Sequence, residues 1–153
     1  MIKKIFFISF ITIFISGCGY TPIYSTKDQN FKLGEIETSG NVKLNKVIVK
    51  NIKSLTKKNL NSSKIFNLKL ETNLNKNIKS KDTKGNPKTF EIKIVTNLKV
   101  TKDEINSLQK SFSYSSIYNT MNSEFELNIY EKTIEKTILS KISEKIIVYL
   151  QTL

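Results

Sequence analysis

Phe90-Glu91-Ile92-Lys93-Ile94-Val95-Thr96-Asn97-Leu98-Lys99-Val100 is the stretch that decides the fold of this chain. Phe90, Ile92, Ile94, Thr96, Leu98 and Val100 alternate with Glu91, Lys93, Val95, Asn97 and Lys99. A period of two sends successive side chains to opposite faces, which predicts a strand with one buried and one wet face. Phe66, Leu68, Leu70, Thr72 and Leu74 alternate in the same way with Asn67, Lys69, Glu71, Asn73 and Asn75. Two such runs in succession predict an antiparallel hairpin. Between them, Lys76 to Lys88 is polar, with Gly85-Asn86-Pro87 near its end. It reads as a hairpin connection longer than the usual length of about two to five residues, with room for the strands to extend partway into it.

Upstream, Leu44, Val47, Ile48, Ile52 and Leu55 share one face of a 3.6-residue period, with Lys46, Lys50, Lys53, Lys57 and Lys58 on much of the rest. This predicts an amphipathic helix at 43–59, broken by Asn59, Asn61, Ser62 and Ser63. Before it, Phe31, Leu33 and Ile36 suggest a strand at 31–38, and Ser39-Gly40-Asn41 reads as a turn. Downstream, Thr101 to Asn106 is the next turn. Leu108, Phe112, Tyr114 and Tyr118 mark a fourth strand at 107–118. Ser123 with Glu126 three residues on fits a capping box. A long helix at 123–151 follows, with a stripe of Leu127, Tyr130, Ile134, Ile138, Ile142, Ile146, Tyr149 and Leu150. Tyr114, Tyr118, Tyr130 and Tyr149 fall on the apolar faces and are expected in the core with their hydroxyls at its edge.

Each strand has one apolar face and each helix one apolar stripe. Laying both helices on one face of the sheet buries all of these surfaces together. The expected fold is α+β: a two-layer sandwich with a four-stranded mixed sheet and two helices on one face, in the order β-α-β-β-β-α. The helix between the first two strands suits a parallel, right-handed crossover. One domain, 31–153, holds all of it.

The start of the chain has a different logic. Lys3 and Lys4 precede an apolar run from Ile5 to Ile15, followed by Ser16-Gly17 and then Cys18. These are the positive start, apolar core and small-residue cleavage site of a secretory signal, expected over 1–17. The run is short of the roughly 20 residues that span a bilayer. Ile15-Ser16-Gly17-Cys18 resembles a bacterial lipobox. That resemblance implies diacylglyceryl transfer to the Cys18 sulfur, cleavage after Gly17 and acylation of the new amino terminus. A thiolate is the nucleophile such chemistry needs, and several acyl chains hold a protein on a membrane without a spanning helix. Residues 18–30, with Pro22 favouring extended backbone, read as a linker from the lipid to the fold.

Composition narrows the chemistry. Removing the signal leaves 136 of 153 residues, and the net charge falls from +12 to +10 as Lys3 and Lys4 go. There is no His, no Trp and no second Cys. Cys/His metal sites and Ser-His-Asp or Cys-His triads are therefore excluded. No carboxylate pair, nucleophile motif or phosphate loop stands out, so an enzyme is not expected, nor a cofactor. Every basic side chain is Lys. Part of that charge reflects a Lys, Asn and Ile bias throughout the chain. The rest suits an anionic partner, a membrane surface or an anionic glycolipid. Nucleic acid is not expected for an exported chain without a basic-and-aromatic recognition motif.

Cys18-Gly19-Tyr20-Thr21-Pro22-Ile23-Tyr24 resembles the Cys-Gly-aromatic-x-Pro-Leu-Tyr start of the alphaproteobacterial LptE family, the lipopolysaccharide-assembly lipoproteins. The order of elements agrees over nearly the whole mature chain. So does an aromatic fourth strand at Ser113-Tyr114 followed by a C-terminal helix. The resemblance implies a protein lipid-anchored on the periplasmic face of the outer membrane. It implies a partner, the LptD β-barrel, which such proteins plug and help to fold. It also implies lipopolysaccharide binding during insertion into the outer leaflet, by occupancy and without catalysis. Gly19 is compatible with outer-membrane sorting. Lysines attract phosphates and acid sugars as mobile point charges. The expected contacts are Lys76, Lys79, Lys81, Lys84 and Lys88; a plain solvated loop is the alternative. Tyr20 and Tyr24 are candidates to touch the barrel or membrane. A second reading is an auxiliary lipid-binding lipoprotein of an ABC-type envelope transport system.

Overall fold

A computed structural model describes residues 31–56, 64–102 and 106–153. The signal, Cys18, the linker with Tyr20 and Tyr24, the expected helix end at 57–59 and the turn centre at 103–105 lie outside the described residues. The elements are β1 (Lys32–Gly40), α1 (Val42–Thr56), β2 (Ile65–Lys81), β3 (Pro87–Lys102), β4 (Asn106–Asn119) and α2 (Glu124–Gln151). They form one mixed sheet in the order β1-β2-β3-β4. β1 runs parallel to β2, and the other two pairs are antiparallel.

The alternating runs bury the side chains that alternation predicts. Phe66, Leu68, Leu70, Ile92, Ile94, Leu98 and Val100 are buried on the helix-facing side. Leu44, Ile48 and Ile52 of α1 meet them, with Ile134, Ile138, Ile142, Ile146 and Leu150 of α2. The side chains between them on the strands, such as Asn67, Lys69, Glu71, Asn97 and Lys99, are exposed on the other face. Burying a Leu or Ile side chain contributes about 1.5–3 kcal/mol, so this single layer contact is what holds β-branched helices such as α1 in shape. Thr72 and Thr96, fully buried in the same row, satisfy each other through hydroxyls 3.0 Å apart.

Several boundaries differ from the sequence reading. Ser39 and Gly40 continue β1 rather than turning. The Asn41 side-chain oxygen accepts from the Lys43 and Leu44 amides at 3.1 and 3.2 Å and so caps α1. Gly40 has φ +78°, and a Cβ there would meet the Thr72 carbonyl at 2.6 Å, so the step from strand to helix needs glycine. At α2 the expected cap is present: the Ser123 hydroxyl accepts from the Glu126 amide at 3.4 Å. The apolar stripe of α2 also takes in Leu139 and Ile147, both buried. Of the tyrosines, Tyr118 is buried and Tyr114 and Tyr149 are half-buried, but Tyr130 is exposed because it lies near the start of α2 on the edge of the aromatic group. Leu55 and Leu108 are also exposed, at the ends of their elements.

The largest correction concerns Lys76 to Lys88. It is not a loop. The ladder continues from Leu74↔Ile94 through Ile78↔Phe90 to Lys81↔Pro87, with irregularities around Ser80. Only residues 82–86 connect the strands. Beyond Leu74 the side chains of β2 itself are exposed, so its backbone stays paired without burying an apolar row of its own.

Candidate functional site

The projecting end of the β2–β3 hairpin collects the five predicted lysines, together with apolar side chains that the sequence reading did not single out. The connection itself is tightly built. The Asp82 carboxylate accepts from the amides of Lys84 and Asn86 at 2.9 and 2.8 Å and from the Asn86 side chain at 3.1 Å. These bonds, the Asn86 amide first, hold the Asp82 carboxyl below the usual carboxylate range. Gly85 has φ +86°, which this turn demands. The turn therefore presents Lys84 on an ordered support.

The lysines do not act as one group. Lys76 lies on the helix side of β2. Its Nζ is 2.6 Å from a Glu131 carboxylate oxygen of α2 and 4.9 Å from the Phe90 ring centroid. Glu131 also accepts from the Tyr118 hydroxyl at 2.7 Å. Burial, and then donation to Glu131, push the Tyr118 hydroxyl pKa up. Burial, and then the Glu131 charge, raise the Glu135 carboxyl pKa in the next turn. Lys79 lies toward the other face and pairs with Glu91 at 3.1 Å. That contact holds the Glu91 carboxyl below its usual range. Lys81, Lys84 and Lys88 are exposed and form no salt bridge among the described residues. Two of the five thus position the hairpin, and three present free charge.

Beneath the lysines, Tyr118 is packed between Phe90, at a 5.6 Å centroid distance, and Tyr130, at 6.1 Å. Ile78, opposite Phe90 in register, is half exposed. Phe125 and Ile129, one turn apart on α2, are 73% and 49% exposed. On β2, Ile78 sets exposed apolar surface among these lysines, and exposed cations with exposed apolar side chains suit an anionic amphiphile, lysines to the charged head and apolar residues to its hydrocarbon. The i, i+4 spacing of Phe125 and Ile129 was the available sequence signal for the second half of this arrangement. Cys18 lies outside the described residues. Among the described residues no helix is long and apolar enough to cross a membrane, and no three Cys, His, Asp or Glu side chains come together to hold a metal.

No family model matches this chain. No curated protein matches it. Solved structures do. Rare lipoprotein B from Shewanella oneidensis superimposes with a TM-score of 0.62 at 11% identity, covering 79% of this chain and 95% of that one. A minor lipoprotein from Acinetobacter baumannii gives 0.60 at 8% identity, covering 80% and 91%. Lipoprotein B from Nitrosomonas europaea gives 0.56 at 14% identity, covering 78% and 84%. The chain shares the fold of these lipoproteins over nearly their full length.

Proposed function

We propose that this chain is an LptE-type lipoprotein of the alphaproteobacterial kind, anchored through acylated Cys18 on the periplasmic face of the outer membrane. It plugs an LptD-like β-barrel, assists its assembly and binds lipopolysaccharide on its way to the outer leaflet. It acts by binding and occupancy rather than catalysis. The observation that carries this reading is a conjunction: the Cys18 start and the fold shared with rare lipoprotein B occur in one chain. The hairpin end supports it independently. Lys81, Lys84 and Lys88 offer unpaired charge for phosphates, and Ile78, Phe125 and Ile129 offer apolar surface for acyl chains. The polar outer face of the sheet, with Asn67, Asn97, Gln109 and Ser111, suits the polar interior of an outer-membrane barrel.

The test is mild detergent extraction of the full chain through a C-terminal tag, with mass spectrometry of what accompanies it. The reading expects an LptD-like barrel in roughly equal amount, and loss of membrane anchoring in Cys18→Ser. Recovery of an ABC-transport component in its place, or of no barrel, contradicts it.

A further inference from the structure

The two edges of the sheet are guarded differently. β1 is nine residues long, shifts register between Leu33 and Ile36, and exposes Glu35 and Glu37. Short length, bulges and charge all discourage another strand from pairing. β4 lacks the first two and has little of the third. It runs 14 residues in unbroken register with β3, contains no Pro, and carries Lys110 as its single charge. Among the described residues no strand pairs with its outer edge. About every second residue of β4 therefore directs its N–H and C=O away from the sheet.

A groove of about 370 Å3 runs beside this edge, between β4 and the C-terminal half of α2. Phe112, Tyr114, Val148 and Tyr149 give it an apolar lining, and Lys110 and Lys145 flank it. The Lys110 ammonium sits 4.5 Å from the Tyr149 ring centroid. Neither lysine forms a salt bridge among the described residues, and the groove lining contains no carboxylate.

We infer that the β4 edge and this groove form a docking site for an extended acidic segment of a partner polypeptide, which adds to the sheet as a fifth strand. The open ladder supplies backbone hydrogen bonds, and the groove takes alternate side chains, which is how strand addition combines affinity with selectivity. The unpaired lysines select carboxylates on the incoming segment. A second copy of this chain fits less well. Pairing two β4 edges brings two further lysines to a seam that holds no acid. The inference does not depend on the translocon reading, since any envelope protein with such a segment qualifies.

The test uses the full chain in detergent and three fluorescent peptide pools of about ten residues, the length of an ordinary strand. The first alternates varied apolar residues with Glu. The second replaces Glu by Lys. The third is the acidic pool with alternate backbone amides N-methylated. The inference expects saturable binding of the first pool alone, with amide exchange slowed along β4 and unchanged along β1. Lys110→Glu with Lys145→Glu, both exposed positions, is expected to weaken that binding by about tenfold or more. Equal binding of the Lys or N-methylated pool, no binding of the acidic pool, or no slowing along β4 overturns it. Concentration-dependent self-association that protects β4 overturns it in favour of a second copy.

Discussion

From Ile65 to Leu74, β2 alternates exposed side chains with ones buried under the helices; from Asn75 to Lys81 the same strand, paired with the same neighbour, is exposed throughout. The backbone ladder does not change at Leu74. What changes is the layer above it. In the base half, stability comes from apolar burial. In the projecting half it comes from cross-strand contacts, the Asp82 turn, and the tie from Lys76 and Tyr118 to Glu131. An ordered strand need not be a core strand, and a strand held in register with its own side chains exposed leaves surface for a ligand.

The largest expected effect sharpens that contrast. Leu70→Ala, in the fully buried base half, is expected to cost about 2–5 kcal/mol in urea unfolding. Ile78→Ala, eight residues on in the same strand and half exposed, is expected to cost well under about 1 kcal/mol. Comparable losses would mean that the projecting half carries a core of its own. Next comes the buried threonine pair. Thr72→Val strands the Thr96 hydroxyl and is expected to cost about 1–3 kcal/mol. Adding Thr96→Val recovers most of that loss, which a double-mutant cycle reads directly.

Glu131→Gln tests the tie between helix and hairpin. It weakens the contact to Lys76 and the acceptor for Tyr118. The Lys76 side chain is 40% exposed, so screening limits the cost to about 1 kcal/mol or less. Amide exchange is expected to quicken in the first turns of α2 and around Lys76, leaving Leu70 and Ile94 protected. A uniform rise across the sheet would break the division into halves. The smallest effect is electrostatic. Lys79→Met is expected to return the Glu91 carboxyl toward its ordinary range in an NMR titration, because the Lys79 contact is what lowers it. A carboxyl lowered by folding stabilises the protein above its unfolded pKa, and that contribution disappears as pH falls through the folded one. Glu135 has the opposite sign: raised by burial and Glu131, it favours the folded state as pH falls.

The sequence made the layers legible because alternation and helical period both report burial. Phe66 to Leu74, Phe90 to Val100, α1 and α2 were readable for that reason. The same dependence hid the rest. Past Leu74 the ladder continues through Lys76, Ile78 and Ser80, which are exposed and carry no apolar alternation, so most of this strand read as part of the hairpin connection. Ser39 and Gly40 look like turn residues, yet they extend β1 up to the helix cap. The lysines of the site were visible as charge, but their division into paired and free depends on Glu91 and Glu131, which are distant in sequence. Phe125 and Ile129 stand off the apolar stripe of α2, and only the fold reveals how far they are exposed.

The most direct test of the account is photo-crosslinking in membranes, with a photoreactive residue in place of Lys84 at the hairpin turn or of Lys53 on the exposed side of α1. Labelled lipopolysaccharide is expected to crosslink at position 84 and not at 53. Crosslinking at 53 alone, or at neither position while a barrel partner is present, would contradict the assignment of the projecting end as the lipid-binding site.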